Sequence, residues 1–253
     1  MKEHSQIQGV YDEGYSKFLD CDKVFRLKKV IKILKGLNCI ADAHNDTEDS
    51  LRLLDVGCGD GSFTLEMSRA LGRRWELYGV DISKNAAELA NSHGIRATSL
   101  NTDFECTPYP DGYFNLIYCG SLIELVLNPD KLIEELRRII SPKGYIVFTY
   151  PNHTAWVSRI AVLLGRLPYY YRVSTKYEMG KLGGGAIASQ STGFIRLFTP
   201  NAFLNLMSLN NFMVFKVLGA REHAVPKLLY PIDYLMQFFP SLAFQNIVVV
   251  KKK

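Results

Sequence analysis

The chain lacks the marks of several large protein classes. Its 253 residues hold only five cysteines, Cys21, Cys39, Cys58, Cys106 and Cys119, odd in number, scattered, and without a C-x-x-C pair. That spacing argues against structural zinc and against a disulfide framework, so no metal and a reducing compartment are expected. No apolar run is long enough to cross a bilayer; the longest candidate, 228–250, is interrupted by Pro231, Asp233 and Pro240. The opening MKEHSQIQGVYDEGY is polar and lacks the apolar segment of a signal peptide, which makes the cytoplasm the expected location. No internal repeat or low-complexity segment is visible. Acidic residues are scarce in one region only. Residues 151–253 carry 12 Lys and Arg against 3 Asp and Glu, a net +9, whereas 1–50 is −1 and 51–150 is −3. The basic part reads either as solvated surface, with Lys251, Lys252 and Lys253 in the tail, or as a face turned toward an anionic acceptor or an acidic surface.

What the chain does have, at 47% hydrophobic content, is enough apolar material for one full core, or for one core with an appended subdomain. The informative stretch is 51–81, LRLLDVGCGDGSFTLEMSRALGRRWELYGVD. Leu51 to Leu54 reads as a short buried strand ending at Asp55, and Gly57, Gly59 and Gly61 break regular structure. Phe63, Met67 and Leu71 then fall on one helical face, and a second apolar run from Trp75 closes at Asp81. This is one βαβ unit with a binding loop at the carboxyl end of its first strand.

Two ligand classes use such a loop. A dinucleotide site has G-x-G-x-x-G, so that amides and a helix N-terminus receive a pyrophosphate. Here the third glycine comes one place early and Ser62 stands where that fingerprint has Gly or Ala. Asp55 and Asp60 flank the loop and would repel phosphate, but they suit a cationic ligand such as S-adenosylmethionine (SAM). Asp81 can accept from both ribose hydroxyls of either ligand.

LLDVGCGDG followed by YGVDIS resembles the first two motifs of class I SAM-dependent methyltransferases, nearest in flavour to the small-molecule branch with the MetW-like and quinone-biosynthesis enzymes. The resemblance runs from about Leu51 to Asn152. It implies an α/β fold: a Rossmann-like, seven-stranded, mostly parallel sheet with an antiparallel last strand, helices on both faces, and a lid insertion after the fifth strand. The implied organisation is an N-terminal helical cover over 1–50, a SAM-binding core over 51–152, a lid over 153–195, and closing helix and strands over 196–253. It also implies that Asp55, Gly57, Cys58, Gly59, Gly61, Asp81, Ile82 and Cys119 surround the cofactor. Asp103 matches the family's acceptor for the adenine amino group, and Phe104 lies along the ring or offers its N–H.

Several local readings extend the pattern. Asp22 to Leu37 reads as an amphipathic helix with Val24, Leu27, Ile31 and Leu34 on one face and Lys28, Lys32 and Lys35 on another, followed by a loop over 41–50. Ser83 and Asn128 are helix caps, with Pro129 in the first turn of the second helix. Ser141 to Gly144 reads as a stop before a strand from Tyr145 to Tyr150. The sequence departs from the family at Asn115, where relatives carry Asp, and at Leu125, where they carry His.

Methyl transfer needs donor and nucleophile held in line, with a base where the nucleophile is a hydroxyl. The candidate bases are His153, just past the fifth strand, and Glu124. Tyr11, Tyr15, Tyr150, Trp156 and Tyr170 are candidate substrate residues, and Gly183-Gly184-Gly185 would let the lid open. No Asn/Asp-Pro-Pro-aromatic motif follows the fourth strand, which makes nucleic acid an unexpected partner. The expected acceptor is a small molecule, glycan or lipid-like compound, with peripheral contact at an anionic membrane as a further possibility and a monomer or homodimer as the assembly. A non-catalytic SAM-binding protein and a nicotinamide-dependent oxidoreductase remain alternative readings.

Overall fold

The computed structural model describes residues 25–44, 50–72, 75–171, 173, 177–181, 187–188, 194–221, 225 and 227–253. Seven strands form one sheet: β1 (Leu51–Val56), β2 (Trp75–Asp81), β3 (Arg96–Ser99), β4 (Phe114–Gly120), β5 (Ile140–Pro151), β8 (Phe212–Ala220) and β9 (Gln245–Lys252). Their order across it is β3-β2-β1-β4-β5-β9-β8. The pairs from β3 through β5 are parallel, and β9 runs antiparallel to both β5 and β8. The Rossmann-like sheet with an antiparallel last strand is therefore as the sequence implies. A separate two-stranded pairing joins β6 (Tyr177–Glu178) to β7 (Ile187–Ala188).

The central strands are apolar on both sides because helices cover both faces. On one face Leu54, Ile117, Phe148 and Val248 meet α4 (Pro129–Ile139) and α6 (Pro200–Leu209) through Leu132, Leu136 and Phe203. On the other, Leu53, Leu116, Val147 and Ile247 meet α1 (Phe25–His44) and α2 (Ser62–Leu71) through Leu34 and Met67. The period of two along each strand sends alternate side chains to these two cores. The short α3 (Lys84–Ser92) starts at Ser83, whose Oγ accepts from Ala86 N at 3.1 Å, and α4 starts at Asn128, which accepts from Lys131 N at 3.1 Å. Both caps are where the sequence puts them.

Three local expectations change. Helix α1 continues to His44, so Ala41 to His44 is helix and not linker. Its buried face is Leu27, Val30, Ile33, Leu34 and Leu37, with Ile31 only half-buried, because the sheet lies against the 27/30/34/37 stripe; Val24 lies outside the described residues. Strand β5 begins at Ile140, directly at the end of α4, and Ser141 to Gly144 form an irregularity within it: the register jumps from Phe114↔Ile140 to Leu116↔Tyr145.

Past β5 the chain forms α5 (Trp156–Leu163), and before β9 it forms a 3-10 turn (Lys227–Leu229) and α7 (Tyr230–Met236). These enclose a satellite core of Ala155, Trp156, Tyr170, Val225 and Phe244. Asp233, fully buried in α7, holds it together by accepting from Trp156 Nε1 at 3.2 Å and Arg221 Nε at 3.0 Å.

Candidate active site

The glycine loop leaves β1 through three left-handed residues, Gly57 (φ 80°), Gly59 (φ 59°) and Gly61 (φ 81°). A side chain on Gly61 is excluded twice over, by that φ and by Ile95, whose Cδ1 would lie 2.3 Å from an added Cβ. Most of the loop's amides are satisfied within the protein. Gly57 N and Cys58 N donate to Val80 O, Gly59 N donates to Asp81 Oδ2 at 2.8 Å, and Gly61 N donates to Cys58 O. Asp60 Oδ1 accepts from Ser62 N at 2.9 Å, placing a carboxylate at the N-terminus of α2, where a phosphate would sit in a dinucleotide site. Asp81 is fixed from both sides, since its Oδ1 also accepts from Ser83 N at 2.9 Å. This loop is a cage for positive charge.

Asp55 lies beneath it, buried, with Oδ2 accepting from Thr64 Oγ1 at 2.6 Å. Burial pushes its carboxyl up to about 7; the Thr64 hydrogen bond opposes this and the nearby Asp81 charge adds to it. Cys58 packs on Gly79, Ala90 and Ile95, and Cys119 lies in the core beneath α4. Burial raises both thiols, so what these two residues bring to the crevice is backbone. Ile82 is half-buried at the end of β2. One oxygen of Asp103, Oδ1, accepts from Leu127 N and Asn128 N at 2.8 and 3.0 Å, tying the loop after β3 to the start of α4. The amide of Phe104 donates to Asn101 O, which removes the N–H offered to a ligand in the sequence reading and leaves the largely exposed ring.

At the carboxyl end of β4 stands Arg26, a residue the sequence pattern does not single out. It reaches from α1 across the edge of Phe63, donates from Nη1 to Ser121 Oγ at 2.7 Å, and has a buried Nε without a partner among the described residues. Ser121 itself has φ 53°, a conformation a non-glycine residue holds only when its surroundings impose it. Three residues on, Glu124 is completely buried and neither carboxylate oxygen has a hydrogen-bond partner among the described residues. Burial pushes it up to about 8, against the opposing pull of its own backbone amide and of Arg26.

The far wall is built from β5, β9 and the segment 194–198. His153 is buried among the rings of Tyr170, Tyr171 and Phe194, at 5.6, 5.8 and 6.0 Å, and burial lowers it to about 4. Neither of its nitrogens has a partner among the described residues. The same segment binds both candidate bases: Ile195 N and Arg196 N donate to Glu124 O, while His153 N donates to Phe198 O. Tyr150 stacks on Phe203 at 4.2 Å with its hydroxyl buried and unpartnered among the described residues, and burial raises that hydroxyl strongly. Its neighbour across the β5–β9 ladder is Asn246, fully buried, whose amide also lacks a partner among the described residues. Tyr170 joins this wall, its hydroxyl 3.4 Å from Gln245 Nε2. Trp156 does not; it sits in the satellite core with its indole N–H on Asp233. Tyr11, Tyr15 and Gly183-Gly184-Gly185 lie outside the described residues.

The methyltransferase-domain family matches residues 28–217 of this chain, three quarters of its length. The chain belongs to that family. Among curated relatives, this methyltransferase is 30% identical over 153 residues to a sterol 4-C-methyltransferase of Caenorhabditis elegans, an overlap of 57% of this chain and 45% of the relative. It is 27% identical over 146 residues to a ubiquinone biosynthesis O-methyltransferase of Chromobacterium violaceum, covering 52% and 61%. The chain thus spans about half to three fifths of these two relatives. A SAM-dependent methyltransferase from Archaeoglobus fulgidus has the same fold, with a TM-score of 0.56 at 17% identity over 96% of this chain and 98% of that one.

The residues present fit the family's cofactor, SAM. Loop amides already bonded within the protein, and the carboxylates of Asp55, Asp60 and Asp81, disfavour a pyrophosphate and favour a cation. The unpartnered Nε of Arg26 gives a carboxylate-bearing ligand its counter-charge. No group of His, Cys, Asp and Glu suited to a metal occurs among the described residues. Sequence reasoning misses Arg26 and Asn246 for different reasons. Arg26 is one cation on a helix full of them. Asn246 does leave a signal, a polar residue at an inward register position of an otherwise apolar strand.

Proposed function

We propose that the protein methylates a lipid-like small molecule: an acceptor with an apolar or aromatic body and one or two polar groups at the reacting end. The observation that carries this reading is the wall of Tyr150, His153, Glu124 and Asn246, buried polar groups without partners among the described residues, set into aromatic rings. A buried polar group left unpaired costs about 1–3 kcal/mol. Four of them near the ends of β4, β5 and β9 suit a ligand that satisfies them. The sterol and quinone acceptors in the names of the curated relatives support this class.

Bound SAM supplies a methyl group activated by its sulfonium. The chain's own residues do the rest. Asp81, locked by Gly59 N and Ser83 N, accepts from ribose hydroxyls, with Gly57, Gly59 and Gly61 letting the ligand approach the backbone. Asp55 and Asp60 supply negative charge toward the ammonium and sulfonium, and Arg26 holds the carboxylate. Ile82, Asp103 and Phe104 border the adenine side. His153 is the base we favour: held at about 4, it is neutral at physiological pH, and the ring nitrogen that bears no hydrogen can accept a proton. Glu124, at about 8, is protonated at neutral pH and donates a hydrogen bond to the acceptor. Tyr170 lines the same wall, and residues 153–195 act as the lid.

The test is calorimetric titration with SAM, S-adenosylhomocysteine and NADH, followed by labelled methyl transfer to prenylated phenols and sterols. Binding of the two sulfur nucleosides with transfer to one of these acceptors is the expected result. Binding without transfer to any of them would remove the lipid-like acceptor, and binding of NADH alone would remove the whole reading.

A further inference from the structure

Helices α5 and α7 pack on the same satellite core, and each turns an uncovered apolar face to solvent. On α5 and its C-cap the exposed residues include Ile160, Leu163 and Leu164, with Leu163 84% exposed. On α7 and the turn after it they include Leu235, Phe238 and Phe239, with Phe238 62% exposed. Helix α5 is tied to the loop that follows α7, where Trp156 N donates to Leu242 O and Arg159 Nη2 to Ser241 O. Exposed apolar side chains concentrated on two helices around one core suit a contact site.

The charges beside it say what the contact is. Arg159, Arg166 and Lys227 are exposed around these helices. Arg159 is held by the carbonyls of Thr154 and Ser241, which satisfy its hydrogen bonds but leave its charge uncancelled. The acidic side chain of this region whose surroundings are described, Asp233, is buried and bonded to Arg221 and Trp156. A second copy would set like charge against like charge. A surface with negative headgroups over an apolar interior complements both the cations and the exposed Leu and Phe side chains.

We propose that the α5–α7 face docks this protein peripherally on an anionic lipid bilayer. Helix α5 leaves the carboxyl end of β5, so docking would hold the acceptor wall at the lipid surface; in purpose, though not in its test, this rests on the lipid-like acceptor proposed above.

The experiment is co-sedimentation of the full chain with phosphatidylglycerol-containing vesicles and with pure phosphatidylcholine vesicles, without donor or acceptor, beside light scattering of the free protein. The intact chain is expected to bind the anionic vesicles. Pure phosphatidylcholine, high salt, or the pair Leu163→Glu with Phe238→Glu should each weaken binding about tenfold or more, while the pair keeps the melting temperature and SAM affinity. Should the charged pair not fold, Leu163→Gln with Phe238→Gln takes its place. No binding to anionic vesicles, or equal binding by the substituted protein, would overturn the proposal. So would a dimer that the same substitutions convert to monomer, since the face would then belong to a second copy. Vesicle binding with no lipid-like acceptor methylated would leave this surface standing and remove the acceptor class.

Discussion

At the carboxyl ends of β1 and β2 the amides of Gly57, Cys58, Gly59 and Gly61 all find partners, and Asp81 is held on both oxygens. At the carboxyl ends of β4 and β5 and the amino end of the antiparallel β9, Glu124, Tyr150, His153 and Asn246 find none among the described residues. The donor side is finished before its ligand arrives, so binding there loses little free energy to ordering the loop. The proposed acceptor side is held in shape by ring packing and by backbone hydrogen bonds such as His153 N to Phe198 O, while these four polar side chains have no partner among the described residues. On the reading proposed above, one scaffold thus carries a preorganised half and a half that its ligand completes.

That contrast is open to direct test. The largest effect should come from the unfinished side. His153→Ala should lower the methyl-transfer rate by roughly 10²- to 10⁴-fold, the range for a positioned base, with SAM affinity unchanged. A similar loss of SAM affinity would mean the two halves are not separate. On the finished side, Asp81→Ala should weaken SAM binding by about 10²-fold in calorimetry, because charge-assisted hydrogen bonds of about 1.5–3 kcal/mol are lost. Gly61→Ala should destabilise the fold itself, by about 1–3 kcal/mol from its positive φ alone, read as a fall in melting temperature.

The pH dependence should be about tenfold per unit at most, and its sign differs between the two states. In the folded, ligand-free protein Asp55 ionises near 7 instead of the ordinary 3.8, so the folded state holds the extra proton between these values. Its contribution to stability is therefore full below about pH 4 and is lost as pH rises toward 7. A cationic ligand prefers the ionised carboxylate, so SAM affinity should instead strengthen as pH rises toward 7 and then level off. Asp55→Asn should flatten both slopes in parallel titrations. The smallest effect is expected for Asn246→Val, which removes an unpartnered buried amide: a gain of about 1 kcal/mol in denaturant unfolding together with weaker acceptor binding. A loss of stability would show that Asn246 is structural and not part of the reserved wall.

Much of the finished half is legible in the sequence because it is local. Gly57, Gly59 and Gly61 sit at fixed spacing between an apolar run and a helical stripe, and Asp81 closes the next run. The amide hydrogen bonds of that loop join residues within one βαβ unit. The start of β5 misleads for an equally local reason: Pro142 and Gly144 look like a stop, but β4 supplies a ladder on which the strand tolerates the irregularity. The acceptor wall is only partly legible. His153 and Tyr150 stand out by position, whereas Arg26 lies 95 residues from Ser121, and Asn246 meets Tyr150 only through an antiparallel ladder.

By itself, then, the sequence determined the class of fold, the glycine loop and the sign of charge its ligand must carry, since these follow from periodicity, backbone freedom and formal charge over short spans. Tertiary structure decided which polar groups are left without partners. Burial and hydrogen bonding depend on what distant segments bring alongside, and only after β9 inserts beside β5 and α1 crosses the end of β4 are Glu124, Tyr150, His153 and Asn246 buried without partners among the described residues.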